Sequence, residues 1–370
     1  MTKIRKSAER DSRLSVGQII FCTVSLCVLV LTFIESETVI SSMSDGMRLC
    51  TSTLIPALFP FMVLSEILVS SGAAELISRI IGGLFSKLFG IRREGAIAFL
   101  LGIVCGFPIG AKSAYSLYQS KRISRPELEH LLCFCNGPSS AFIISAVGVS
   151  LFGSRELGIL LYAADILSAT VIGIGARVFF SGKNEERQVD TDRKRESEAP
   201  RSPIKSVVGA VSSSARAMLY ICAFVTFFSA IIGIIRSYAQ ALSMRGTPLS
   251  LLLGFFEMTS GVSAASSLPC LSAALCAAAI IGWSGLSVHF QLISLFGDVK
   301  ISFRPYFLAK ALRSALNVIF VALGMMLLEG KISLAPSSSP SFIYSHSPHP
   351  VHILSLSVFF ISAILLLKKK

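Results

Sequence analysis

Residues that could bind a solute are concentrated at two interruptions of apolar segments. An Asn-Gly-Pro-Ser-Ser run at residues 136–140 interrupts the apolar residues 131–151, and a Gly-Trp-Ser-Gly run at residues 282–285 interrupts residues 271–295. Glycine and proline free backbone groups from the helical ladder, and a bilayer tolerates such groups only where they line a protein cavity or bind a ligand. The paired interruptions therefore predict a membrane transporter.

The two halves of the chain look like copies of each other. An identical Ser-Leu-Phe-Gly sequence follows each interruption, at residues 150–153 and 294–297, which are 144 residues apart. A Leu-Leu-Gly sequence likewise recurs at residues 100–102 and 252–254. These matches predict a structural repeat, and a binding site between its two copies.

The composition fixes the class of protein. Hydrophobic residues make up 53% of the 370 residues, charged residues make up 15%, and the mean hydropathy is +0.71, as in an all-α polytopic membrane protein. The net charge of +13 comes from short basic clusters at the ends of apolar runs, which indicates topology signals and no nucleic-acid partner. The nine cysteines lie almost wholly inside apolar runs without a paired CxxC set, so we expect reduced core residues.

The apolar runs of the first half give a definite order of elements. We expect an uncleaved anchor at residues 16–34, a second span at 49–71 and an amphipathic surface segment at 73–93. A re-entrant hairpin at 95–111 turns at residues 106–110 and is followed by a broken helix at 131–151, a further span at 157–180 and a polar linker at 181–205.

The second half repeats this order. We expect a span at residues 217–235, a hairpin at 248–269, a broken helix at 270–296 and another span at 306–328. A Ser/Pro loop at 333–350 then leads to a last span at 351–367.

The positions of the basic residues support eight crossings with both termini cytoplasmic. This arrangement places 29 of the 34 Lys and Arg residues on the inside, as the positive-inside rule requires. Each repeat then contributes three crossings, so the two repeats must have opposite orientations. The chain is thus expected to divide into an amino tail with its anchor (residues 1–45), a first repeat (46–180), a linker (181–205), a second repeat (206–329) and an outer loop with a final helix (330–370).

Four short motifs resemble those of the YlbJ-type sporulation integral membrane proteins, a family built on the nucleoside-recognition Gate fold. They are Leu-Ile-Pro-Ala-Leu-Phe-Pro-Phe at residues 54–61, Gly-Phe-Pro-Ile-Gly-Ala-Lys at 106–112, Arg-Ile-Ser at 122–124 and Asn-Gly-Pro-Ser at 136–139. The resemblance extends over about residues 46–328. It implies a role in endospore formation, with dipicolinic acid moved from the mother cell across the outer forespore membrane.

A small dicarboxylate inside a membrane protein needs helix amino ends, free backbone N–H groups and hydroxyls to match its charge. Both hairpin tips and both interruptions offer these groups, so we expect them to converge near the midplane and to move as a unit against the other spans. The candidate substrate-binding residues are Gly106, Pro108, Gly110, Lys112, Ser113, Asn136, Gly137, Pro138, Ser139, Ser140, Thr259, Ser260, Gly261, Ser263, Ser284 and Gly285.

Several residues have two interpretations at this stage. Lys112 either neutralises a carboxylate or extends to the cytoplasmic interface, and Trp283 either gates the site or packs, with packing favoured. The intramembrane acids Glu66, Asp165 and Glu257 either couple transport to an ion or form ion pairs with Lys310 or Arg313. The histidines of the carboxyl-terminal region, His346, His349 and His352, fit a solvated loop better than a metal site.

Three function classes compete: a transporter, a scaffold and an intramembrane enzyme. A secondary transporter of a small organic anion leads; the alternatives are a transporter of a nucleoside-like solute and a scaffold for spore cortex or coat assembly. An intramembrane enzyme ranks last, because no catalytic set or metal-ligand cluster with suitable spacing is present. No ATP-binding loop or other cofactor motif is present, so we expect no cofactor. The expected partners are a small-molecule substrate and the lipid bilayer, and related Gate folds imply a homo-oligomer as an option.

Overall fold

A computed structural model describes residues 16–70, 73–181, 203–297 and 299–328. All regular structure in these ranges is helical, which confirms the expected all-α class. The predictions for the amino tail, for most of the linker, for the loop with its three histidines and for the last span lie outside the described residues. The five-part division of the chain remains a prediction.

The helices of the first half include one, Ser36–Leu49, that was not predicted. They are α1 Val16–Ile34, α2 Ser36–Leu49, α3 Ile55–Ser70, α4 Ala73–Ile80, α5 Gly82–Phe89, α6 Ala96–Val104, α7 Ile109–Gln119, α8 Arg125–Leu132 and α9 Arg155–Ser181. Two stretches, Cys50–Leu54 and Ala141–Leu151, are wound more loosely as π-helix, and Arg93–Gly95 forms a 3₁₀ turn.

The helices of the second half are α10 Pro203–Ala241, α11 Gly246–Phe256, α12 Met258–Ala265, α13 Cys270–Trp283, α14 Leu286–Ser294 and α15 Arg304–Leu327. The 39-residue α10 extends at both ends beyond the predicted span, residues 217–235.

In the described ranges, four helical segments are long and apolar enough to cross a membrane. They are Arg155–Phe180, Ser206–Ala241, Cys270–Ser294 and Arg304–Leu327. The α1–α2 pair bends by 98° and would be a fifth span if it counts as one. The predicted spans 49–71 and 131–151 are missing from this set, because π-helical turns and a wide break divide them into shorter apolar helices. Eight crossings are therefore not confirmed.

Each segment predicted as a re-entrant hairpin contains two short helices that pack closely at glycines, but re-entry from one side of a membrane is not confirmed. In the first hairpin α6 packs on α7, and a Cβ atom on Gly102 or Gly110 would collide with the carbonyl oxygen of Cys135. In the second hairpin α11 packs on α12, and a Cβ atom on Gly261 would collide with the backbone of Gly254. The repeated Leu-Leu-Gly sequence thus supplies, in each half, a glycine where the hairpin arms meet.

Both predicted helix breaks are confirmed. After α8 the chain leaves the helix for residues 133–139 and resumes helical structure at Ser140, ahead of the π-helix Ala141–Leu151. Between α13 and α14 the break consists of Ser284, at φ +77°, and Gly285, at φ +85°. A left-handed backbone at a serine is uncommon and is maintained only where the surrounding structure holds it.

The two halves pack against each other around α15. This helix packs along α13, where a Cβ atom on Gly282 would come within 2.6 Å of the Cα atom of Ser314, and it also packs against α9 of the first half. The Asn317 side chain donates to the Ala278 carbonyl of α13 at 3.3 Å. Polar side chains on α15 can therefore reach both breaks.

We predict that Gly102→Ala destabilises the protein by about 1–3 kcal/mol, because the new methyl group must displace the backbone of Cys135. Gly175→Ala is the matched control, because a Cβ atom at Gly175 in α9 meets nothing within 4 Å. Gly175→Ala should leave the free energy of unfolding unchanged or raise it slightly, since alanine has a higher helix propensity than glycine. Thermal unfolding of both purified variants in detergent tests this, and equal midpoints would contradict the close packing of the hairpin.

Candidate functional site

Each hairpin tip lies directly on the break of its own half. In the first half the Phe107 N–H donates to the Gly137 carbonyl at 2.7 Å, and a Cβ atom on Gly106, at φ +75°, would collide with Ser139. In the second half a Cβ atom on Gly285 would come within 3.0 Å of the Met258 nitrogen. Tip and break are therefore in contact within each half, while convergence of all four segments on one site at the membrane midplane remains a prediction.

Lys310 of α15 connects the two breaks. Its Nζ donates to the Asn136 carbonyl at 2.5 Å and to the Ser284 hydroxyl at 2.9 Å. The side chain is buried, with 1% exposed, and it makes no ion pair within the described residues. One ammonium group therefore binds the non-helical segments of both halves of the chain.

Arg313 holds the first break from the same helix. Its guanidinium binds both carboxylate oxygens of Asp165, at 2.8 and 2.7 Å, and Asn317 donates to the same carboxylate at 3.1 Å. The remaining Arg313 donor lies 3.4 Å from the carbonyls of Phe134 and Asn136. Of the two interpretations of Asp165, ion pairing with Arg313 is the one observed.

Lys112 is buried, so its extension to the membrane interface is wrong. Helix α7 continues to Gln119, and Lys112 lies within the packed hairpin with 5% exposed. Its Nζ lies 3.4 Å from the Glu66 carboxylate and 2.6 Å from the Ser214 hydroxyl. Ser116 donates to Glu66 at 3.1 Å. These groups form a second polar cluster, which links the first hairpin to α3 and α10.

The tip of the second hairpin satisfies its own backbone donors. The Glu257 carboxylate accepts from the N–H groups of Thr259, at 2.9 Å, and Ser260, at 2.6 Å, and so caps α12. The expectation that Thr259 and Ser260 offer free donors to a substrate anion is therefore wrong. Gly261 packs on Gly254 and accepts from Ser250 at 2.9 Å through its carbonyl. The carbonyl of Ser263 accepts from the Ser266 hydroxyl at 2.8 Å.

The other candidates near the first break have local partners. Ser139 accepts from the Phe142 N–H at 3.1 Å, and Ser140 donates to the Val104 carbonyl at 3.3 Å. The Asn136 amide donates to Leu132 at 3.2 Å, while its side-chain oxygen has no partner among the described residues. Pro108 precedes α7 after a cis peptide bond, and Ser113 is buried in that helix. Pro138 lines a small cavity that lies beside the first break.

Trp283 packs against a neighbouring aromatic ring, which agrees with the favoured interpretation. Its ring stacks on Phe255 with a centroid distance of 5.5 Å, and its Nε1 donates to the Phe255 carbonyl at 3.0 Å. The indole thus fastens the second break to α11.

The sequence interpretation assigned no solute contact to α15, although a signal was present. Tyr306, Lys310, Arg313 and Asn317 are all buried and lie at helical spacing in an otherwise apolar helix, so they share one face. A polar stripe of this kind in a membrane helix faces the bundle interior. A narrow cavity beside it, lined by Gly137 and Tyr162 among others, has room for about one water molecule.

Comparison with known proteins supports the motif-based resemblance. The family model described as Gate, nucleoside recognition, matches residues 51–172, a region that includes the first hairpin, the first break and Asp165. The chain is also 29% identical over 311 residues to the sporulation integral membrane protein YlbJ of Bacillus subtilis (strain 168), with 75% of each chain covered. No solved structure matches the chain.

We predict that Arg313→Met lowers the unfolding free energy by about 3–5 kcal/mol, because it leaves the Asp165 carboxylate buried without its cation. The double variant Asp165→Leu/Arg313→Met should recover much of this loss, since two apolar side chains replace the pair. Thermal unfolding in detergent of the two single variants and the double variant measures the coupling. Strictly additive losses would show that the pair does not act as a unit.

Proposed function

We propose that this chain, a multi-pass membrane protein with a Gate domain and a likeness to a sporulation integral membrane protein, is a secondary transporter of a small organic anion. The observation that carries the proposal is Lys310 at the junction of the two breaks. A buried lysine without a carboxylate partner costs several kcal/mol, and a bound anion would offset that cost.

The proposed substrate is dipicolinic acid, carried from the mother cell across the outer forespore membrane. Support comes from the relative's name, which places that protein in sporulation, and from the motif resemblance at residues 106–112 and 136–139. A dicarboxylate would accept from the Lys310 ammonium, and also from the Ser284 hydroxyl once that group gives up its hydrogen bond to the Ile281 carbonyl. The small cavity beside Gly137 would have to widen to admit it.

The two repeats, we propose further, insert with opposite orientations and carry the site by alternating access. The matching hairpin glycines and tip-to-break contacts of the two halves support a duplicated unit. Each hairpin would move together with its break. The bonds of Lys310 would then be remade as the site changes sides, while the Asp165–Arg313 pair keeps α9 and α15 together.

A nucleoside-like solute is the second candidate, favoured by the description of the Gate family as nucleoside recognition. Such a solute is uncharged and would leave Lys310 without a counter-ion. Competition between the two solutes separates the candidates, and the absence of any transport by a correctly inserted protein would favour the scaffold alternative.

We predict that Lys310→Met lowers uptake of labelled dipicolinate into proteoliposomes at least about tenfold, which corresponds to about 1.4 kcal/mol of lost binding free energy. Lys300→Met is the matched control, because Lys300 is exposed just before α15. The control should transport as wild type does. An excess of unlabelled nucleoside should not compete; inhibition by nucleoside, or equal uptake by both variants, would contradict the proposal.

We predict opposite membrane sides for two equivalent loops, the one after each hairpin. Single cysteines at the exposed positions Lys121 and Ser267, introduced into a chain without its native cysteines, report the side. An impermeant maleimide applied to intact cells should label Ser267→Cys alone, and permeabilised cells should show both labelled. Labelling of both positions, or of neither, in intact cells would contradict opposite orientations.

A further inference from the structure

His289 on α14 carries a buried ring nitrogen without a partner. The residue is fully buried, and its Nδ1 lies 2.7 Å from the Tyr306 hydroxyl. Its Nε2 has no hydrogen-bond partner among the residues that the structure describes. Leaving a buried polar group unpaired costs about 1–3 kcal/mol, so the position calls for an explanation.

The hydrogen-bond inventory assigns the proton on this ring. Tyr306 is buried, and within the described ranges its hydroxyl has no acceptor other than His289 Nδ1. If the hydroxyl donates its one proton to Nδ1, the neutral imidazole must carry its own proton on Nε2. The unpartnered atom is therefore an N–H donor.

This donor lies beside the Lys310 junction. Tyr306 precedes Lys310 by one helical turn on α15, and Ser284, which Lys310 binds, lies five residues before His289. Aromatic rings surround the imidazole: Trp283 lies 4.5 Å away, Phe307 5.1 Å and Tyr306 5.3 Å between ring centroids. These packed rings surround the donor with apolar groups and keep water from it.

We propose that His289 is a second solute-binding residue, whose Nε2–H donates to a carboxylate held by Lys310, with Tyr306 as the positioning residue that fixes the tautomer. This inference rests on the proposed transport of an organic anion and assigns its specificity. A planar carboxylate accepts from the lysine and the imidazole together.

The test compares three substitutions of His289 by equilibrium binding of labelled dipicolinate to the purified full chain in detergent. Gln places its amide nitrogen near the position of Nε2, Asn places it near Nδ1, and Leu removes both. We expect His289→Gln to bind within about threefold of wild type, and His289→Asn and His289→Leu to bind at least about tenfold more weakly. Phe290→Leu, at an exposed neighbour on α14, is the control and should bind as wild type.

Thermal unfolding of each variant accompanies the binding measurement, and the Gln and Asn variants alone decide the question if His289→Leu does not fold. Equal binding by the Gln and Asn variants would overturn the role of Nε2. Suppose that wild type binds dipicolinate and Lys310→Met does not. Unchanged binding by His289→Gln and His289→Asn would then overturn the role of His289 and leave the proposed transport function standing. No binding by wild type would overturn the proposed substrate instead.

Discussion

The hydrogen bonds from Lys310 join two non-helical segments, the first through the backbone carbonyl of Asn136 and the second through the side-chain hydroxyl of Ser284. A bilayer interior offers no water to the polar groups of such segments, so each break must find protein partners. One helix, α15, supplies many of them, because Lys310 and Arg313 lie on the same face and both bind the carbonyl of Asn136. The rest of the arrangement, including the close approach of the hairpins, serves to bring the breaks within reach of that face.

Glycine makes this approach possible in both halves. The arms of the two hairpins cross at Gly102 with Gly110 and at Gly254 with Gly261, where no side chain would fit. The tips then touch the breaks at Gly106 and Gly285. Small residues at helix contacts allow backbones to approach closely, which matters most in a membrane, where the hydrophobic effect does little to hold helices together. The two halves therefore share these glycine contacts as well as their short sequence matches.

Charge is distributed unevenly between two polar clusters. Around Glu66 the positive charge of Lys112 balances the negative charge of the carboxylate, and this cluster connects the first hairpin to α3 and α10. Around Asp165 one carboxylate faces both Arg313 and Lys310, and only the arginine is paired with it. The cluster around Asp165 thus has spare capacity for an anion, which the cluster around Glu66 lacks. This difference, together with the unpartnered nitrogen of His289, places the proposed site at the junction of the halves.

The sequence by itself determined the helical class, both glycine-bearing hairpins and both helix breaks, because these depend on local backbone chemistry: proline lacks an N–H, glycine adopts positive φ, and apolar runs must be helical in lipid. It also offered Arg313 as a partner for Asp165, and the structure selected that option. Only the tertiary structure decided which cation meets the breaks, since Lys112 and Lys310 both lie in or near apolar segments and differ only in their distant neighbours. It likewise decided that Glu257 occupies the donors of Thr259 and Ser260. Contacts between groups far apart in the sequence, such as Lys310 with Asn136, 174 residues away, depend on how whole helices pack, and no local pattern specifies them.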